Sequence, residues 1–152
     1  MFKPMRRLDK QLSHEDTISL LERGQEGVLG TVSDDGYPYT VVVNYVYYNN
    51  KIYFHCAKKG HKIDNIKKNE KVSFSVYDSV EVLGNELNTK YQSLTIFGKA
   101  KVLNATNEIL IKLIKKYSNL STDKANQMIA DEIGITAMVE IEIEHITGKA
   151  GK

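Results

Sequence analysis

Between Tyr37 and Tyr48 the chain reads YPYTVVVNYVYY, a run dominated by β-branched and aromatic side chains. Such residues suit a pleated, half-buried surface and favour extended backbone. Turn formers bracket the run, with Ser33-Asp34-Asp35-Gly36 before it and Asn49-Asn50 after it, and both asparagines accept positive φ. A short apolar run from Gly27 to Val32 precedes the first turn, and Lys51 to His55 resumes as strand after the second. Two successive hairpins are therefore expected, which commits the first third of the chain to antiparallel sheet.

The remainder extends that sheet and decorates it. Val72 to Tyr77 and Ser93 to Leu103 read as strands, and Gly98 inside the second marks a bulge. Val139, Ile141 and Ile143 alternate with Glu140, Glu142 and Glu144, so the last strand has one buried face and one wet face. Ser13 ahead of His14-Glu15-Asp16 caps a short helix that ends at Gly24 and turns Ile18 and Leu21 inward. Lys62 to Asn69 makes one or two helical turns. Thr106 to Tyr117 places Ile109, Leu110, Leu113, Ile114 and Tyr117 on one stripe, the spacing of an amphipathic helix. Ser121 caps another helix, which ends near Gly134. The expected fold is mainly β (α+β), an antiparallel and closed or partly closed barrel with flanking helices.

At 152 residues the chain is expected to form one domain, residues 1–152. Its 21 Lys and Arg against 19 Asp and Glu leave a net charge of +2, which argues against a nucleic-acid partner. The start MFKPMRRLDK has no apolar h-region and no run is long enough to span a bilayer, so no membrane partner and a cytoplasmic location are expected. Cys56 is the only cysteine and has no intrachain disulfide partner. His14 and His145 lack metal-ligand spacing, and no metal site is expected.

Chemistry concentrates in Lys58-Lys59-Gly60-His61-Lys62, where a strand runs through a basic loop into a helix start. Unpaired N–H groups and the helix dipole favour an anion there, and Gly60 lets the backbone approach it closely. A phosphate monoester fits, with Lys62 as a point charge and His61 as a further donor. The plainer alternative is three lysines solvating a surface turn. No acid, base or nucleophile constellation appears, so no catalytic residue is assigned.

The stretch from Gly27 to Asn69, followed by Tyr91-Gln92-Ser93, Phe97-Gly98-Lys99-Ala100 and the ending Glu144-His145-Ile146-Thr147-Gly148-Lys149, resembles the FMN-binding split barrel of the pyridoxamine 5'-phosphate oxidase-like superfamily. Within it, the pattern is most similar to the 5-nitroimidazole-resistance (Nim-type) branch. The resemblance implies FMN as cofactor, with phosphate contacts at His61 and Lys62, and with His55 and the Cys56 backbone beside the flavin. It also implies that Val43, Asn44 and Tyr45 run along the isoalloxazine edge, that Ser93 faces the ring, and that FMN lies at a homodimer interface.

Each of these residues also has a plain structural alternative. Asn44 suits an edge or a bulge, His55 and Ser93 suit satisfied core positions, Cys56 suits a small filler, and Tyr45, Tyr47 and Tyr48 suit barrel or dimer surface. The chain has no tryptophan, and its ending TGKAGK departs from the arginine- and tryptophan-bearing ending of the vitamin B6 oxidases, so oxidation of pyridoxamine phosphate itself is not expected. The function implied is an FMN-dependent oxidoreductase that reduces a small-molecule electron acceptor, such as a nitroimidazole or another nitroaromatic. A non-catalytic FMN or haem carrier is the alternative, because fold does not fix function.

Overall fold

Two long antiparallel strands form the backbone of the sheet. In the computed structural model, which describes residues 1–151, β1 is Gly27–Val32, β2 Pro38–Val43, β3 Val46–Tyr48, β4 Lys51–Ala57, β5 Lys71–Leu83, β6 Asn88–Asn104 and β7 Thr136–Gly151. Among the described residues these form one sheet in the order β2-β1-β5-β6-β7-β4-β3, with every pairing antiparallel. The sheet is an open, split barrel. β6 and β7 pair from Tyr91–Gly151 to Asn104–Ala137, with a register shift at Phe97/Gly98. Gly98 is required there, because a Cβ would run into the carbonyl of Glu142.

Helices α1 (His14–Arg23), α2 (His61–Lys68), α3 (Asn107–Tyr117) and α4 (Thr122–Glu132) flank the sheet. Three start where a side chain satisfies an orphan N–H: Ser13 accepts from Asp16, Thr106 from Ile109 and Ser121 from Lys124. On α1 the buried residues are Thr17, Leu20 and Leu21, while Ile18 is only half-buried.

Alternation along β4 and β7 divides the interior in two. Ile52, Phe54, Val139 and Ile141 point into the barrel core beside Leu29, Phe74 and Ile96. Tyr53 and Met138 point the other way, into a second cluster closed by Ile109, Leu110, Leu113 and Ile129 of α3 and α4. This is why the wet face expected of the last strand is wet only in part. Glu140 is half-buried, paired with Lys51 at 3.3 Å and accepting from the Tyr53 hydroxyl at 3.0 Å.

The structure also corrects where two of the strands begin and end. The run from Tyr37 to Tyr48 is not one strand: it breaks at Asn44 and Tyr45, and β2 and β3 end up on opposite edges of the sheet. The strands expected over Val72 to Tyr77 and Ser93 to Leu103 continue into a ribbon that turns at Gly84–Glu86. That ribbon was not legible because Val80, Val82 and Leu87 are exposed, so no alternation of burial marks it.

Candidate flavin site

Phe54 in the core sets the parity of the end of β4, so His55 faces outward and Cys56 packs against the core. Burial pushes the Cys56 thiol up, and the nearby charge of Lys62 offsets this in part. The thiol is therefore a protonated filler rather than a nucleophile, and Lys62 stands close to the strand end.

Ile63 and Ile66 bury one face of α2 and fix the helix beneath the loop. Its N-terminus has no side-chain cap. Gly60 sits at φ 154 with nothing within 4 Å of where a Cβ would lie, a conformation reserved for glycine. Uncapped N–H groups, an open glycine and half-buried Lys62 together fit a phosphate. Lys58 and Lys59 are exposed.

The structure gives the His61 imidazole another role. Its Nε2 is hydrogen-bonded to Ser33 Oγ at 2.9 Å, and its ring lies over Tyr39 at 4.0 Å. Buried Asn65 donates to Thr31 Oγ1 at 3.0 Å and to Ser33 Oγ at 3.2 Å. These contacts pin α2 to the β1–β2 turn, so His61 holds the loop in place. Asn65 and Ser33 were missed from sequence, since nothing in a surface-turn serine and a mid-helix asparagine announces that they meet.

Asn44 and His55 come together, lining one cleft between the sheet and α3–α4. Asn44 Nδ2 donates to the Gln25 carbonyl at 3.0 Å. Half-buried Val43 pairs with Gly27 and packs against the barrel core. Tyr45 requires a correction, both as a flavin contact and as a surface residue. Its side chain is 0% exposed, its hydroxyl donates to the Leu21 carbonyl at 2.5 Å, and its ring meets Phe74 edge-on. Its backbone N–H and carbonyl are occupied by Tyr117 and Lys116.

Ser93 lies apart. It pairs with Tyr77 on β5, one register beyond the row containing Val43 and Gly27. Three strand steps separate it from Asn44, roughly 14 Å at the usual strand spacing. Among the described residues no His, Cys, Asp or Glu cluster could hold a metal ion, and no helix is long and apolar enough to cross a membrane.

An open antiparallel barrel with an uncapped, lysine-flanked helix start at the end of a core strand defines a split-barrel protein with a candidate phosphate site. The profile of the family described as pyridoxamine 5'-phosphate oxidase matches residues 13–150, and the chain belongs to that family. Solved structures agree on the fold. A conserved hypothetical protein, Rv2991, from Mycobacterium tuberculosis superposes with a TM-score of 0.83 at 17% identity, covering 97% of this chain and 90% of that one. A candidate 5-nitroimidazole antibiotic resistance protein from Bacteroides thetaiotaomicron gives 0.75 at 18%, covering 93% and 86%. An FAD-binding protein from Mesorhizobium loti gives 0.66 at 19%, covering 94% and 96%. Among curated proteins none matches.

Proposed function

We propose that the chain binds FMN as a homodimer and uses it to reduce a small electron-poor acceptor, with nitroaromatics as the candidate class. The observation that carries this reading is the uncapped start of α2 beside Lys62, directly beyond His55 and Cys56. The FMN phosphate is assigned to those N–H groups and Lys62, and the ring to the outward side of β4 near His55 and Asn44. FMN, when bound, supplies the electron-accepting and electron-donating chemistry. The residues of this chain hold and orient it. The family membership and the likeness to a nitroimidazole-resistance structure support this reading.

The homodimer rests on a bare face of the barrel. Val32, Val42 and Tyr77 point outward from β1, β2 and β5 and are exposed. Ser93 faces the same way as Tyr77, its register partner. A second copy docked on that face brings Ser93 to the interface, which accounts for its distance from Asn44.

The deciding experiment is the visible spectrum of freshly purified protein, followed by titration of FMN fluorescence. Yellow protein, or stoichiometric quenching of added FMN, is the expected result. Colourless protein that leaves FMN fluorescence unchanged overturns the reading. Turnover is tested separately: protein-bound reduced FMN should be reoxidised by a nitroaromatic or quinone faster than free reduced FMN, and equal rates favour a carrier.

A further inference from the structure

Where α3 and α4 cross the outer edge of β4 they leave a cleft of about 350 Å³, within the range of small-molecule sites. Leu113 and Ile114 of α3 and Met128 and Ile129 of α4 make apolar walls, and Asn44 and His55 line the sheet side. The hydroxyls of the lining are already committed. Ser118 donates to the Ile114 carbonyl at 2.7 Å, Thr136 to the Glu132 carbonyl at 2.7 Å, and Tyr117 to the Gln25 carbonyl at 2.6 Å.

Three polar groups of the lining remain free among the described residues: Asn44 Oδ1, the His55 imidazole and the Glu132 carboxylate. Among the described residues no lysine or arginine lines the cleft. Lys116, next to Tyr117, turns its ammonium to the Tyr45 carbonyl at 2.9 Å and over the Tyr45 ring at 3.9 Å. The phosphate-binding lysines belong to the loop and helix beyond His55. An anion entering the cleft is repelled by the like charge of Glu132, whereas a cation or an N–H donor is favoured there.

We infer that this cleft is a second small-molecule site, one that accepts a planar, largely apolar ring bearing N–H donors and either no charge or a single positive charge, with Glu132 as its polar anchor and with Asn44 and His55 as the wall it shares with the proposed flavin site. The site is walled by this one chain and stands whether or not flavin binds.

Three probes of nearly equal shape test it: benzamidine, benzamide and benzoate. Each is titrated into the full-length protein, with and without added FMN, while backbone amide shifts are followed by NMR. Benzamidine and benzamide should shift Leu113, Ile129 and Thr136. Benzoate should bind at least about tenfold more weakly than benzamidine, from which it differs by two unit charges. Glu132→Gln should bring benzamidine down to the affinity of benzamide. Met128 is 49% exposed, so Met128→Trp fills the cleft without disturbing the core. It should abolish binding of all three probes while leaving the thermal unfolding midpoint unchanged. Benzoate binding as tightly as benzamidine, shifts that survive Met128→Trp, or no shifts up to the solubility limit each overturn the inference. A failure to bind FMN bears only on the flavin reading.

Discussion

The hydroxyl of Tyr117 lies 3.0 Å from both the backbone N–H and the carbonyl of Tyr45, joining residues 72 positions apart. It accepts from the N–H and shares its single proton between that carbonyl and the Gln25 carbonyl at 2.6 Å. Tyr45 stands at the break between β2 and β3, where the ladder cannot satisfy these groups. A side chain from α3 does so instead.

Tyr117→Phe should therefore destabilise the chain by about 1–3 kcal/mol, the cost of leaving partly buried backbone groups without their partner. Urea denaturation with an unchanged m-value checks this. A variant as stable as the parent shows that water replaces the hydroxyl.

Lys116 makes the pH dependence specific. Burial lowers its pKa from the ordinary lysine value to about 8, and its ammonium has no carboxylate partner among the described residues, only the Tyr45 carbonyl and ring. The charged form is thus penalised in the folded state. That penalty is fully present below about pH 8 and fades as pH rises toward the unfolded value. Lys116→Met should accordingly stabilise the protein relative to the parent near pH 7, with the difference shrinking by pH 9.5. The comparison stops there because burial also raises the Tyr45 and Tyr117 hydroxyls, whose ionisation acts in the opposite direction. A pH-independent difference removes Lys116 as the cause.

Lys62 and His61 should behave differently toward flavins. Lys62→Ala is expected to weaken FMN by roughly one to two orders of magnitude, from the strength of a charged hydrogen bond, while riboflavin, which lacks the phosphate, is little changed. His61→Ala releases Ser33 and Tyr39 rather than the phosphate, so it should weaken both ligands in parallel. Fluorescence titration of each variant with each flavin separates the two. Parallel losses for Lys62→Ala put the phosphate elsewhere.

The dimer face offers a direct test. Val42 is 63% exposed on β2, so Val42→Glu should leave folding intact but bury a charge at a twofold contact. Light scattering should read a dimeric mass for the parent and a monomeric one for the variant. A parent that is monomeric with FMN bound contradicts the homodimer.

Much of the fold was legible because its signals are local. The alternation from Val139 to Ile143, the stripe from Ile109 to Leu113, and the caps Ser13 and Ser121 follow from period and from hydrogen-bonding chemistry within a few residues. The bulge at Gly98 was legible for the same reason. At the site, the basic loop and its helix start could be placed from the order Lys58-Lys59-Gly60-His61-Lys62, since an unpaired helix terminus is a property of the backbone.

Tertiary structure alone decided the rest. Nothing near Tyr45 distinguishes it from Tyr47 or Tyr48, yet only Tyr45 is carried wholly inside, because β2 and β3 separate there and Tyr117 and Lys116 arrive from α3 to bind its backbone. His61 reads as a phosphate donor, and only the β1–β2 hairpin brings Ser33 to its Nε2 and Tyr39 against its ring. The cleft joining His55 to Glu132 exists only because α3 and α4 return to cover the outer side of β4. Local pattern determines which face of an element is apolar, whereas contacts between residues 28 or 72 positions apart depend on how those faces are brought together.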